Sequence, residues 1–147
     1  MSHRKIPFIL LIVVVLIAGA PTRVRADDLG RRDKMLHLLN QTRRNHGLPV
    51  FRLNASLSHS AWLHSKAMAG RGYLFHTSDL YGTVRAYHPS MWGENIGEAG
   101  WLKLVRTLWM RSAPHRANVL KPGYRRVGIG VVRAGGMLWV TTIFYGG

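Results

Sequence analysis

The stretch RRVGIGVVRAGGMLWVTTIFY, Arg125–Tyr145, sets the architecture. Two runs rich in valine, isoleucine, threonine and aromatic residues flank Gly135-Gly136. A Gly-Gly pair supplies the positive φ angles of a tight hairpin turn. The spacing predicts one strand over RRVGIGVVRA and a second over MLWVTTIFY.

Working back from this hairpin, PHRANVL (Pro114–Leu120) reads as a short turn opened by Pro114. Before it, WLKLVRTLWMRS (Trp101–Ser112) is the clearest helix in the chain. Trp101, Leu104, Val105, Leu108 and Trp109 form an apolar stripe there, with Lys103, Arg106, Thr107 and Arg111 facing away. MWGENIG (Met91–Gly97) reads as a strand, in which Trp92, Glu94 and Ile96 share a face. YLFHTSDLYG is expected to be extended and to run into an irregular loop over Asp79–Ser90. Further back lie two helices. One runs from about Gly30 to His46 and stops at Gly47. The other starts at Ala55, is capped by Asn54 and ends at Gly70 and Gly72. Leu57, Ala61, His64, Ser65 and Met68 share its face, and the small Ala61, Ser65 and Ala69 permit close packing. GLPVFRLN between the helices is a connector. The order helix, helix, strand, helix, strand, strand indicates an α+β domain with an antiparallel sheet covered by helices.

The N-terminus reads differently. MSHRK carries Arg4 and Lys5, and the 15 residues Ile6–Ala20 are apolar. That is a secretory leader, too short for a comfortable membrane span. Cleavage is expected after Ala26, giving a leader over 1–26 and a domain over 28–147. The alternative cut after Ala20 places Pro21 next to the scissile bond. An uncleaved anchor is the other outcome, and either route puts the domain outside the cytosol, secreted or attached to the outer face of the membrane. Membrane contact is then expected to be transient and through the leader.

The 147 residues suit one domain with a real core. No cysteine occurs, so packing alone must hold the fold. Thiol catalysis and cysteine-bound zinc are excluded. Of 21 lysines and arginines four precede Asp27, which leaves 17 against six acidic residues, a net +11. Such an excess attracts anionic partners, here an anionic cell-envelope polymer or lipid. The cations are scattered, without the aromatic interleaving that grips single strands, so no specific nucleic-acid recognition is expected.

Four polar groups end otherwise apolar elements: His76, Glu94, Ser112 and His115. Burying Glu94 without partners would cost several kcal/mol in order of magnitude. A metal or a protonated histidine beside it removes that cost. His64 is expected to bond a backbone group, Asn95 to bond backbone at the strand end, and Arg43 and Arg116 to be structural donors. The five tryptophans, at 62, 92, 101, 109 and 139, are read as core, with an exposed one able to stack on a glycan. A serine-hydrolase reading of Ser112 with His115 has no nucleophile elbow to support it.

GENI (Gly93–Ile96), FHTS (Phe75–Ser78) and WMRSAPHRANVLKPGYRRVGIG (Trp109–Gly130) resemble the bacterial branch of the CAP superfamily. This superfamily, also called the SCP domain, contains cysteine-rich secretory proteins, venom allergens and plant pathogenesis-related proteins. The likeness runs from about Leu38 to Tyr145 and includes Asn40 and Arg43 at the family's N-x-x-R spacing and the closing strand LWVTTIF. It implies a three-layer α–β–α sandwich with a central antiparallel sheet and a cavity. By this likeness His76 matches the first histidine, Glu94 the first acid and His115 the second histidine. The second acid position is Ser112 here, which removes one carboxylate and weakens any mechanism that needs paired acids. The resemblance also implies zinc or another divalent metal on His76 and His115.

Three functions follow as expectations. The first is a secreted, non-enzymatic domain that binds a small apolar ligand, an envelope polymer or a protein partner through the His/Glu-lined cavity or the basic surface. The second is a metal-assisted hydrolase with Glu94 as base. The third is adhesion to anionic polymers through charge, falling with salt.

Overall fold

A computed structural model describes residues 24–147. The expected leader over 1–26 lies outside the described residues, apart from its last three.

The first helix, α1, spans Ala26–Asn45. It starts four residues before the expected Gly30. Asp28 accounts for the extra turn: its buried carboxylate accepts from Trp62 Nε1 at 3.0 Å and from Arg31 Nη1 at 2.8 Å. These contacts, one of them to the next helix, are invisible to hydrophobic periodicity. Asp27 and Asp28 in the first turn and Arg43 and Arg44 in the last complement the helix dipole.

Within the connector the chain forms a two-residue strand, β1 (Arg52–Leu53), too short to carry an alternating pattern. Helix α2 (Ala55–Arg71) follows. Asn54 caps it by accepting from Leu57 N at 3.0 Å, and Gly72 ends it in the left-handed region at φ 73°. Gly70 lies inside the helix rather than at its end.

The expected loop over Asp79–Ser90 contains a short helix, α3 (Leu80–Val84), and a 3-10 turn at Arg85–Tyr87. Asp79 caps α3 through Gly82 N at 2.7 Å. Strand β2 (Met91–Ala99) follows, then α4 (Leu102–Arg111) and α5 (Ala113–Leu120). The expected turn after Pro114 is therefore a helix: Pro114 sits in its first turn, where a missing N–H costs nothing. Helix α4 buries Leu102, Val105 and Trp109, while Trp101 and Leu108 are exposed. The apolar stripe is thus turned from the expected one, because Val105 and Trp109 pack onto β2 at Gly97.

The hairpin forms as read, from β3 (Arg126–Ala134) and β4 (Met137–Gly146), with Ala134 opposite Met137. Gly135 and Gly136 take φ 57° and 78°. The sheet order is β1-β3-β4-β2. β4 runs antiparallel to β3 and β2, and β1 runs parallel to β3, a departure from a fully antiparallel sheet.

Alternation sends the two sheet faces into separate cores. Val127, Ile129, Val140 and Phe144 meet Met35, Leu39, Val105, Trp109 and Val119 of α1, α4 and α5. Ile143 and Tyr145 meet Leu57 and Ala61 of α2 and Val84 of α3. The result is a three-layer α–β–α sandwich. Helix α2 lies directly on the sheet. A Cβ added at Gly128 or Gly130 would overlap the backbone at Leu57 or at Ala61–Trp62. Ser65 Oγ bonds Gly130 O at 3.1 Å and Thr141 Oγ1 at 2.9 Å across this close contact.

Arg43 is a structural donor, as expected. It is fully buried and, among the described residues, has no carboxylate partner. Its guanidinium donates to the carbonyls of Pro49, Val119, Lys121 and Tyr124 at 2.6–3.0 Å. Two of these carbonyls lie at the C-terminal end of α5, which favours a cation. Burial, and then the charge of Arg125, lower the pKa of Arg43 to about 10, so it stays charged at neutral pH.

Candidate functional site

Strand β2 is an edge strand, hydrogen-bonded to β4 on one side. Its residues alternate between the two helical layers, so Glu94 and Ile96 face the α2 side while Asn95 and Gly97 face α4 and α5. Both sides contribute to the candidate site.

On the α2 side, the segment after Gly72 passes the strand and places His76 and Thr77 against Glu94. His76 Nδ1 lies 2.7 Å from Glu94 Oε1, which also accepts from Thr77 N at 2.9 Å. Thr77 Oγ1 donates to Oε2 at 2.5 Å. A carboxylate only accepts, so the His76 proton sits on Nδ1. The Glu94 side chain is 2% exposed and that of His76 63%. Donors from one short segment therefore satisfy a carboxylate buried in an apolar strand.

On the other side, Asn95 Nδ2 donates to His115 O at 3.0 Å and its Oδ1 accepts from Asn118 Nδ2 at 2.9 Å. Asn118 also reaches Glu94 O at 3.2 Å. Asn95 does bond backbone, but that of α5 rather than of its own strand end. The indole of Trp109 donates to Ile96 O at 2.8 Å, and its ring lies near-parallel to that of His115. His115 Nδ1 is 2.7 Å from Ser112 Oγ, at the junction of α4 and α5. This contact spans one helical turn and has no carboxylate on the far ring nitrogen among the described hydrogen bonds. Burial, and then the charge of His76, lower the pKa of His115.

Beside Ser112 and His115 opens a groove of about 240 Å³. Leu74, Ile96, Val105, Leu108 and Trp109 supply its apolar wall, and Glu98, Ser112 and His115 its polar groups. The four expected site residues are thus divided. Ser112 and His115 line the groove, whereas His76 and Glu94 bond each other beside it. Sequence reasoning missed Thr77, Asn118 and Glu98. Only Glu98 had a visible signal, since strand alternation puts it on the face of Glu94.

The other polar expectations resolve simply. His64 Nε2 bonds Phe75 O at 2.8 Å, and Arg116 Nη1 donates to Met110 O at 3.1 Å. Trp62, Trp109 and Trp139 are core; Trp92 and Trp101 are exposed.

For a metal, the donors on offer are the Nε2 atoms of His76 and His115, since Nδ1 of each ring is engaged. Both oxygens of Glu94 are also engaged. Among the described residues no group of three His, Asp or Glu side chains is placed to hold an ion. Two imidazoles do not fit a catalytic zinc centre, which takes three protein ligands.

Residues 36–144 match the model of the CAP family, described as the cysteine-rich secretory protein family. The chain belongs to this family. It has no cysteine despite that description. The CAP domain is 32% identical to YkwD of Bacillus subtilis strain 168, over 80% of this chain and 47% of that protein. Its fold is similar to that of an extracellular SCP-domain protein from Bacillus anthracis, with TM-score 0.72, 23% identity and coverage of 85% and 45% of the two chains. It is also similar to an outer surface protein of Borrelia burgdorferi, with TM-score 0.71, 12% identity and coverage of 80% and 92%. The chain spans about half the length of the two Bacillus proteins.

Proposed function

We propose that this CAP domain is an exported binding module. It takes a small ligand with an apolar body and a polar head into the groove beside β2. The carrying observation is the composition of that groove: an apolar wall of five side chains, with Ser112, His115 and Glu98 as the polar lining. Small-molecule sites share this mixture of apolar lining and few polar groups. Export is supported by the apolar segment Ile6–Ala20 and by relatives described as extracellular and outer surface proteins.

A binding role fits Glu94 better than a hydrolytic one. A general base needs an oxygen open to the proton it removes. Thr77 and His76 occupy both oxygens of Glu94. Among the described residues no acid orients His115 toward Ser112 as a triad would require.

The test is calorimetric titration with straight-chain alcohols of increasing length. Each methylene buried should raise affinity about fourfold, until the groove is full. Leu108→Asp, which sets a charge at an exposed wall position, should weaken binding about tenfold or more in a domain that still melts cooperatively. Affinity independent of chain length, or unchanged in Leu108→Asp, would overturn the reading.

A further inference from the structure

A second concavity, of about 370 Å³, lies at the N-terminal end of α4. It shares no lining residue with the His115 groove. Among its lining residues is Trp101, which precedes the helix in extended backbone at φ −151°. At 61% this is the most exposed large apolar side chain among the described residues. One exposed apolar residue is ordinary on a protein surface; what distinguishes Trp101 is that it borders a concavity with a cationic lining.

The charges around it are of one sign. Lys34 of α1, Lys103 of α4 and Arg133 of β3 line the groove over Leu38 and Leu138. Among the described residues none of these three cations has a carboxylate within 4.0 Å. Arg31, also at the groove, differs: Asp28 holds it at 2.8 Å. Three elements therefore place three uncompensated cations in the same concavity as one indole.

We propose that this groove binds an acidic polysaccharide. The apolar C–H face of one sugar ring stacks on Trp101, and carboxylate or phosphate substituents pair with Lys34, Lys103 and Arg133. A single aromatic gives one stacking platform, whereas single-stranded nucleic acid is held by several in succession. A bilayer surface would meet the rim of a concavity and leave its floor uncovered. Sugar rings joined by flexible linkages can enter it.

The experiment is calorimetry on the protein with five probes at low and moderate salt. Oligogalacturonate carries carboxylate on sugar, and a glucosylated glycerol-phosphate oligomer carries phosphate. A neutral cello-oligosaccharide, inorganic polyphosphate and an octathymidylate are the comparisons. At least one of the two anionic saccharides should bind, and which one assigns the charged group. Its affinity should fall with salt, and about tenfold or more in both Trp101→Ala and the double variant Lys103→Gln, Arg133→Gln. Trp101 is largely exposed, so matching melting curves are expected and guard against misfolding. Four outcomes overturn the proposal: neither saccharide binds; Trp101→Ala binds as tightly as the unaltered protein; polyphosphate or octathymidylate binds as tightly as the saccharide; or the neutral oligosaccharide does.

Discussion

His76 and Glu94 stand 2.7 Å apart across the surface of the domain, the carboxylate 2% exposed and the imidazole 63%. With Thr77 they fasten the segment after α2 to an edge strand that otherwise has a free side. The pair explains how this chain, with six acidic residues in all, can bury Glu94 in an apolar strand, as Asp28 is buried by its own donors in α1 and α2. The donors come from the segment that the acid holds in place.

Glu94→Gln keeps the size of the side chain but turns one acceptor into a donor, opposite groups that themselves donate. It should lower stability by about 2 kcal/mol, in the range for a lost charge-assisted hydrogen bond. Urea denaturation measures the loss. Hydrogen exchange at the Thr77 amide should accelerate more than at amides of β3. Equal acceleration everywhere would mean that the carboxylate does not hold this segment in particular.

A pH effect follows from His115. Its pKa lies below the ordinary 6.5, through burial first and the charge of His76 second. In the window between the two values the unfolded chain holds a proton that the folded chain does not, so stability rises with pH there. This contribution is complete above pH 6.5 and is lost as pH falls through the folded pKa. Urea midpoints measured in the presence of a chelator should drop between about pH 7.5 and 5.5. The drop should be smaller in His115→Gln. An identical drop in the variant would place the acid sensitivity elsewhere.

Much of this was legible in the sequence, for local reasons. Gly135-Gly136, the Asn54 cap and the Gly72 stop each act through their own backbone, so the hairpin and α2 formed where they were read. Features that depend on distant partners were not legible. β1 exists because Arg52 N and Asn54 N bond carbonyls of Arg125 and Val127, far along the chain. The first turn of α1 depends on Trp62. Pro114 reads as opening a short turn, and it opens a helix. At the site, the resemblance pointed to His76, Glu94 and His115, and the structure bonds the first two. Spacing gives a residue's face but not its partner, so the roles of Thr77 and Asn118 were hidden.

Arg43 should be among the most sensitive positions. Replacing it by methionine leaves the carbonyls of Pro49, Val119, Lys121 and Tyr124 without its donors in the interior, and removes the cation stacked 4.0 Å from the Phe51 ring. The expected loss is at least about 3 kcal/mol. Lysine keeps the charge but cannot reproduce the planar fork, so Arg43→Lys should recover only part of it. Full recovery by lysine would show that charge, not donor geometry, holds the end of α5.

Thr142 makes the opposite prediction. It is fully buried on β4, opposite Asn95 on one side and Ile129 on the other, and its Oγ1 has no hydrogen-bond partner. A hydroxyl taken out of water without a partner is a net cost, and valine has nearly the same shape. Thr142→Val should therefore stabilise the domain by about 1 kcal/mol, read from the urea midpoint at constant slope. Because Asn95 faces the same layer and carries α5 through His115 O, the substitution also probes the groove from behind. Binding of the alcohol series should be unchanged, since Thr142 does not line it. If valine destabilises instead, the hydroxyl has a partner in solution, and a buried water between β4 and Asn95 would be the group that supplies it.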